Sequence, residues 1–256
     1  EHAFAVYPIV TQAVGARARV AKAHDGSIGP RYGHDLKALL KMIDGDTRVI
    51  FIANPNNPTG TSLDRDELLA FLEQVPQHVI TVIDEAYIEY AAGSDFPDSL
   101  KWLSRFPHLV VTRTFSKAYG LAGLRVGYAV SHPEIADVLN RVRQPFNVNL
   151  PALEAALAAL DDPEHLEKTI ALNRKGLQQL SEGLTERGYA VIPSAGNFIS
   201  FDLGQPSGPV YEGLLREGVI VRPIANYGLP NHLRVTVGTM DENQAFLEAL
   251  DRVVAR

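Results

Sequence analysis

The sequence contains no cysteine, and only two methionines and one tryptophan among its 256 residues. Without cysteine the chain can form no disulfide, no thiolate nucleophile and no zinc–sulfur centre. It also lacks an apolar run near the length of a membrane span. Positive charge is in deficit, since 24 lysines and arginines face 30 acidic residues and the net charge is −6. This balance argues against a nucleic-acid partner, and we expect a cytoplasmic protein.

The first half of the chain alternates between strand and helix patterns. Short apolar runs typical of buried strands end in polar residues, and the helix after the first run begins with Asp64 and Glu67 in a capping-box spacing. Strands separated by helices predict an α/β fold with a mainly parallel sheet flanked by helices. The four apolar runs are TRVIFIAN (47–54), HVITVIDEAY (78–87), HLVVTRTF (108–115) and RVGYAV (125–130).

The second half has a different pattern, in which two helical segments lead into short strands and a closing helix. Asp162 precedes Pro163 at the start of the longer helix, and Thr239 and Glu242 form a capping box at the start of the last. We therefore predict a large domain of residues 1–148 and a smaller C-terminal α+β domain of residues 149–256. The predicted strands are NFISFDL (197–203), VIVRP (219–223) and HLRVTVG (232–238).

Three polar clusters follow successive predicted strands, at the edge where parallel sheets bind ligands. They are ANPNNPTG (53–60), IDEAY (83–87) and TRTFSKAYGLAGLRVGY (112–128). The first two, taken alone, are also typical of an ordinary turn and of a helix cap. In the third, Lys117 comes at the end of a predicted buried strand, where desolvation disfavours the ammonium form and favours a nucleophilic amine. Such an amine suits Schiff-base chemistry with an aldehyde.

Together the clusters offer a complement for each reactive part of pyridoxal phosphate. Lys117 would take the aldehyde, and Asp84 would keep the ring nitrogen protonated so that the ring acts as an electron sink. Tyr87 and Asn57 would bond the phenolic oxygen. Three further residues would bind the phosphate, one of them through a guanidinium suited to bidentate contacts: Thr114, Ser116 and Arg125.

The motifs NPNNPTG, DEAY and TFSKAYGLAGLRVGY, in this order, resemble those of the fold-type-I pyridoxal-phosphate aminotransferases of classes I and II. Within that family the similarity is greatest to the histidinol-phosphate aminotransferase branch, which also has an NF pair and a late LRVTVGT segment. The resemblance extends from the first residues to the last. It implies the fold of these enzymes, pyridoxal 5′-phosphate as cofactor, a Schiff base on Lys117, and cofactor contacts from Asp84, Asn57 and Tyr87.

The resemblance implies further contacts at both ends of the chain. Phe4 matches by its spacing an aromatic residue that stacks on the cofactor ring, and an ordinary core phenylalanine is the alternative. Arg234 takes the place of an arginine that binds the anionic end of the substrate, where Asn57 also contributes. Arg222 would assist Arg234, with a surface salt bridge as its alternative role. A charge in the middle of a strand is costly without a partner, which favours an anion beside Arg234.

The resemblance also implies a reaction and an assembly. The expected reaction moves an amino group between histidinol phosphate and 2-oxoglutarate, in histidine biosynthesis, and the expected assembly is a homodimer. Family members carry a mobile arm and a glycine-rich phosphate-binding loop ahead of the point where this sequence begins, and we expect both to be absent. Three alternatives stay open: an aromatic or other amino-acid aminotransferase, a threonine-phosphate decarboxylase on the same fold, and a truncated, catalytically inactive protein of this fold.

Overall fold

The computed structural model describes residues 1–91 and 96–255 of the chain. No helix among these residues is long and apolar enough to span a membrane. The helices are α1 (Val6–Ala13), α2 (Leu36–Lys41), α3 (Arg65–Leu72), α4 (Pro133–Val142), α5 (Leu150–Leu160), α6 (Pro163–Glu186), α7 (Ser207–Arg216) and α8 (Met240–Val254). The strands are β1 (Val49–Ala53), β2 (Ile80–Asp84), β3 (Leu109–Thr114), β4 (Gly127–Ser131), β5 (Ala190–Ile192), β6 (Phe198–Asp202), β7 (Arg222–Pro223) and β8 (His232–Thr236).

The first four strands form one sheet in the order β1-β2-β3-β4. Strands β1, β2 and β3 are parallel, and Ala53, Asp84 and Thr112 lie side by side in the register. Strand β4 instead pairs antiparallel with β3. The connection between them contains only a short 3₁₀ turn, Ala122–Leu124, and no α-helix that could carry the chain back across the sheet. The mainly parallel sheet is confirmed, with one antiparallel strand at its edge.

The last four strands form a second sheet, which is antiparallel throughout and has the order β5-β6-β8-β7. The predicted strand at 219–223 is shorter than expected, because only Arg222 and Pro223 pair with β8. The two sheets lie on either side of the predicted boundary between residues 148 and 149. Helix α5 follows that boundary and packs against Phe115 and Val126, which precede it. The division into two domains at this point stays a prediction.

Each sheet buries an apolar face against helices. The first core joins strands β1 to β3 to α3, and its fully buried members include Ile52, Phe71 and Leu109. The second core joins β6 and β8 to α6, α7 and α8, with Phe201 and Leu233 at its centre. At about 25 cal/mol per Å² of apolar surface removed from water, burial of such large side chains is the main source of stability.

The predicted helix starts are confirmed. Asp64 caps α3 by accepting a hydrogen bond from the backbone of Glu67. Asp162 caps α6, where Pro163 occupies the first position. Thr239 begins α8 with a complete capping box, in which Glu242 bonds back to the cap residue. These starts could be predicted because the capping side chain and the amide it satisfies are three residues apart.

A buried ion pair lies next to the carboxyl end of β2 and connects this part of the chain to β3. Arg113 in β3 donates to Glu85, which follows β2, through its Nε at 2.8 Å and its Nη2 at 2.7 Å. The Glu85 side chain is fully buried. Burial raises the pKa of the Glu85 carboxyl, and Ser99 and Arg113 oppose this shift. The carboxylate therefore depends on its neighbours to stay charged.

We expect Arg113→Met to destabilise the fold by about 3–5 kcal/mol, because it leaves a buried carboxylate without its cation. Without Arg113 the pKa of Glu85 in the folded state lies further above its unfolded value. The protonated form then stabilises the fold at low pH, and this contribution disappears as pH rises. Urea unfolding at mildly acidic and mildly alkaline pH measures the free energy of unfolding. The difference between Arg113→Met and the wild type should grow as the pH rises.

The matched control is Arg141→Met, which removes an exposed ion pair between Arg141 and Asp137 on α4. Exposed pairs contribute at most about 1 kcal/mol, so this variant should unfold almost as the wild type does. If both variants lost the same free energy of unfolding, burial of Glu85 could not be the cause of the effect of Arg113→Met.

Candidate active site

The three polar clusters meet at one edge of the first sheet. The turn at 54–60 follows β1, Asp84 is the last residue of β2, and Thr114 is the last residue of β3. Because these strands are parallel and in register, their carboxyl ends share an edge. Lys117 follows β3 by three residues and lies at the same edge.

The Lys117 amine lies among cations and an aromatic ring. Its Nζ is 5.3 Å from the centre of the Tyr87 ring. Burial lowers the pKa of Lys117, the positive charges of Arg234 and Arg125 lower it further, and Asp84 opposes them. The amine therefore loses its proton more readily than that of an exposed lysine, as a nucleophile or a general base requires.

Tyr87 is almost fully buried at the centre of the site. Its ring meets the Phe198 ring edge to face, with the centroids 5.3 Å apart. Burial raises the pKa of Tyr87 to about 12, although the nearby Arg234 opposes the shift. The phenol is therefore neutral at physiological pH and available as a hydrogen-bond donor.

The turn at 54–60 uses its two adjacent asparagines differently. The Asn56 amide donates to the His2 carbonyl and to Thr59 Oγ1, each at 2.8 Å, so this residue holds the turn together. The side-chain oxygen of Asn57, Oδ1, instead accepts a hydrogen bond from Arg234 Nη1. The Asn57 NH₂ group thus keeps its donor capacity for another partner.

Gly60 ends this turn where the chain passes close to the second half of the molecule. Its φ of +81° is in the left-handed region, and a Cβ there would collide with Ser194 Oγ. Its carbonyl accepts a hydrogen bond from the Ala195 amide at 2.8 Å, and the Pro58 carbonyl accepts one from Ser200 Oγ at 2.6 Å. The turn is therefore fixed to the second sheet on one side and to the first on the other.

The three residues predicted to bind phosphate lie together beside Lys117. The Ser116 amide donates to Thr114 Oγ1 at 3.1 Å, and Arg125 Nη1 donates to Ser116 Oγ at 3.3 Å. Arg125 has a φ of 56°, which is uncommon for a residue other than glycine. Such left-handed residues cluster at functional sites, where the surrounding structure holds them in place. Hydroxyls and a guanidinium in this arrangement can hold an anion.

Arg234 reaches the site from the second sheet, and the alternation of β8 explains how. Leu233 and Val235 point into the second core, so Arg234 points to the opposite face. There its guanidinium lies 5.0 Å from the centre of the Phe198 ring. Among the described residues, its buried Nε has no hydrogen-bond partner. An orphaned donor on a buried guanidinium is a suitable group to bind an anionic ligand.

Arg222 lies directly opposite Arg234 in the register of β7 and β8. Directly opposite residues of an antiparallel pair point to the same face, so two arginines share one side of the sheet. Arg222 is exposed, and both arginines line a surface cavity of about 510 Å³. Arg222 also lowers the pKa of Arg234, after the larger effect of burial. Like charges placed side by side favour an anion between them or nearby.

The start of the chain contributes one predicted residue and one that was not predicted. Phe4 is half-buried rather than a fully buried core residue, and its ring is perpendicular to that of Tyr7 at 6.1 Å. The Tyr7 hydroxyl donates to Asp84 Oδ2 at 2.7 Å. Burial, and then the charge of Asp84, raise the pKa of Tyr7, so its hydroxyl remains a donor. The sequence signal that could have identified Tyr7 was its spacing of three residues from Phe4, which brings the two rings into contact.

Comparison of the sequence with known proteins identifies its family. The family model described as aminotransferase class I and II matches residues 3–250. Histidinol-phosphate aminotransferase 2 of Methylococcus capsulatus (strain Bath) is 65% identical over 254 residues, which are 99% of this chain and 68% of that protein. Histidinol-phosphate aminotransferase 2 of Pseudomonas aeruginosa (strain PAO1) is 60% identical over 255 residues, or 100% of this chain and 68% of that protein.

A solved structure shows the same fold. Histidinol-phosphate aminotransferase of Sinorhizobium meliloti, in complex with pyridoxal-5′-phosphate, superposes with a TM-score of 0.90 and 27% identity. The superposition covers 100% of this chain and 69% of that one. The predicted fold type I, with its large α/β part and smaller α+β part, is confirmed. The chain belongs to the class I and II aminotransferase family.

Proposed function

We propose that this protein is a pyridoxal-phosphate-dependent transaminase that moves an amino group between histidinol phosphate and 2-oxoglutarate, as a step of histidine biosynthesis. One observation carries the proposal: the Lys117 amine lies at the strand edge that Asp84 and Asn57 share, within the electrostatic influence of Arg234 from the second sheet. The relatives that are 60% and 65% identical are named for the same activity.

The donor set fits the cofactor. Pyridoxal phosphate needs an amine for its aldehyde, an acceptor for its ring N–H, donors for its phenolic oxygen and an anion site for its phosphate. Lys117 is the amine, and Asp84 has one carboxylate oxygen bonded to Tyr7, which leaves the other as an acceptor. Two further donors are the Tyr87 hydroxyl and the Asn57 amide. The anion site is the cluster of Thr114, Ser116 and Arg125.

When bound, the cofactor supplies an electron sink next to the carbon that carries the substrate amine. The chain supplies the proton transfers and the orientation. The lowered pKa of Lys117 would let its free amine accept the proton from that carbon and then deliver it to the carbon of the cofactor that had carried the aldehyde, which is the transfer that transamination requires. The Phe4 ring, half-buried beside Tyr7, would cover one face of the cofactor ring. Arg234, with Arg222 opposite, would hold the anionic end of the substrate.

The choice of histidinol phosphate depends on the relatives, because the geometry alone does not separate it from other anionic amines. An arginine pair binds a phosphate or a carboxylate equally well. An aromatic aminotransferase and a threonine-phosphate decarboxylase would both need such a group. The named activity of the close relatives favours histidinol phosphate over these alternatives.

The test is a half-reaction that is monitored through the absorbance of the cofactor-loaded protein. Protein loaded with pyridoxal phosphate is mixed with histidinol phosphate in the absence of an acceptor, and the released product is measured by mass spectrometry. We expect one amino group transferred per active site, and its recovery as glutamate when 2-oxoglutarate is added. Transfer only from aromatic amino acids would contradict the substrate. Carbon dioxide release from threonine phosphate would contradict the reaction, and failure to bind the cofactor would indicate an inactive protein.

We also propose that the protein acts as a homodimer in the cytoplasm. The resemblance implies this assembly, and α5 offers a suitable surface. Leu150, Leu153, Leu157 and Leu160 recur along one face of α5 and are each between 46% and 68% exposed. An apolar stripe of this kind is typical of a buried contact between subunits. The cytoplasmic location follows from the proposed biosynthetic role.

Sedimentation velocity tests the assembly. We expect the wild type to be dimeric and the double variant Leu153→Glu/Leu157→Glu to be monomeric, since it places two charges in the proposed contact. Leu172→Glu is the matched control, because Leu172 is an exposed leucine on a different helix, α6. A double variant that stays dimeric would contradict the role of α5.

A further inference from the structure

We propose that Tyr7 is a positioning residue, which holds the Asp84 carboxylate in the orientation that pairs with the pyridine nitrogen of the cofactor. This inference rests on the proposed function, because it concerns how the same site binds its cofactor. It adds a residue that the sequence analysis did not identify. Tyr7 itself would not touch the reacting atoms but would act through Asp84.

The contact is direct and comes from a distant part of the chain. The Tyr7 hydroxyl donates to Asp84 Oδ2 at 2.7 Å across 77 residues of sequence. A carboxylate has two oxygens, and a donor fixed on one of them sets the plane and the direction of the other. Asp84 ends β2, so the backbone of its strand is already held by the parallel ladder. The hydrogen bond from Tyr7 fixes the remaining freedom, which is rotation of the side chain.

Tyr7 is itself held in place by three contacts. Its ring stacks on Phe51 of β1 with the centroids 5.0 Å apart and the planes 10° apart. The Phe4 ring meets its edge at 6.1 Å. Thr11 Oγ1 donates to the Tyr7 carbonyl at 2.7 Å and fixes the first turns of α1. A hydroxyl on a ring stacked in this way has little freedom to leave its acceptor, so it can orient Asp84 rather than follow it.

Removing the hydroxyl should weaken the pairing of Asp84 with the ring nitrogen. A donor on a carboxylate forms a charge-assisted bond, stronger than a neutral one. We expect Tyr7→Phe, which keeps the ring and its stacking, to raise the Kd for pyridoxal phosphate about tenfold. The effect should depend on the ring nitrogen, because that nitrogen is the partner of Asp84.

The decisive experiment compares pyridoxal phosphate with its 1-deaza analogue, in which a C–H replaces the ring nitrogen. Fluorescence titration of the apoprotein gives the Kd of each ligand. We expect Tyr7→Phe to weaken binding of pyridoxal phosphate but to change the Kd of the analogue by less than about twofold. In the Asp84→Ala background, adding Tyr7→Phe should likewise change the Kd for pyridoxal phosphate by less than about twofold. Equal losses for both ligands, or additive losses in the double variant, would overturn the proposal.

Two further measurements keep the result unambiguous. Tyr189→Phe removes a phenol from a ring that packs on Phe201 in the second half, and it should bind both ligands as the wild type does. The chemical shift of ¹⁵N in labelled cofactor should move towards the unprotonated value in Tyr7→Phe, a change that a purely structural role would not cause. Normal wild-type binding with an unchanged Tyr7→Phe refutes this inference alone, whereas a wild type that fails to bind pyridoxal phosphate refutes the proposed function.

Discussion

Replacement of Lys117 by alanine should abolish transamination, lowering kcat by at least about 10⁴-fold. Among the described residues at the strand edge, the substitution removes the one lysine amine, which can both bond to an aldehyde and carry a proton. After borohydride reduction, mass spectrometry should find the cofactor attached to Lys117 in the wild type and to no residue in Lys117→Ala. Single-turnover transfer from histidinol phosphate measures the loss in rate.

A second variant separates the chemistry of Lys117 from its charge. Lys117→Arg keeps a cation over the Tyr87 ring, where Nζ of the lysine lies 5.3 Å from the ring centre. A guanidinium does not lose its proton at physiological pH and offers no nucleophilic amine. We therefore expect Lys117→Arg to be as inactive as Lys117→Ala.

The control for both variants is Lys168→Ala. The Lys168 side chain is exposed on α6 and, among the described residues, its ion pair is with Glu164 in the preceding turn, so its loss should leave the rate unchanged. Full transamination by Lys117→Ala would contradict the proposed function, and activity in Lys117→Arg alone would show that the site needs only a positive charge.

The second large effect is expected at Arg234. Replacing Arg234 with methionine should lower kcat/KM for histidinol phosphate by about 10²–10³-fold, because removing one member of a buried, hydrogen-bonded charge pair costs about 2–5 kcal/mol. For Arg234→Lys the fall in kcat/KM should be smaller, since lysine keeps the positive charge but lacks the guanidinium that binds an anion through two hydrogen bonds. Arg222→Met should lose least, because Arg222 is exposed.

Histidinol, the same amine without its phosphate, provides the internal control. If Arg234 binds the phosphate, Arg234→Met should reduce the already low rate with histidinol only slightly. Arg234 also donates to Asn57, so the variant could act through the cofactor instead of the substrate. Equal losses with histidinol and histidinol phosphate would assign Arg234 to positioning Asn57 and would contradict phosphate binding.

Local patterns explain why much of this architecture could be predicted from sequence. The caps at Asp64, Asp162 and Thr239 follow from residues three apart. The meeting of Asp84 and Lys117 at one edge follows from the parallel order of the strands that precede them. Apolar runs of strand length fix where each strand ends, and parallel strands end at the same edge. A strand-end lysine and a strand-end aspartate therefore become neighbours without any knowledge of tertiary packing.

The features that could not be predicted depend on contacts between distant residues. The bond from Arg234 to Asn57 joins residues 177 apart, and the bond from Tyr7 to Asp84 joins residues 77 apart. The place of Phe198, between Tyr87 and Arg234, depends on how the second sheet lies against the turn at 54–60. Local propensity contains no information about such packing, so sequence reasoning found the individual groups, with the exception of Tyr7, but not the hydrogen bonds that orient them.

The hydrogen bond from Ser200 to the Pro58 carbonyl has a consequence for how the molecule is made. It joins residues 142 apart and fixes the second sheet to the turn after β1. Contacts of such long range form late in folding, because a large loop must close before they stabilise anything. During synthesis the first sheet can assemble while the C-terminal residues are still in the ribosome. We therefore expect Arg234, the arginine proposed to bind the substrate, to reach the site late in synthesis, when β8 is released and docks.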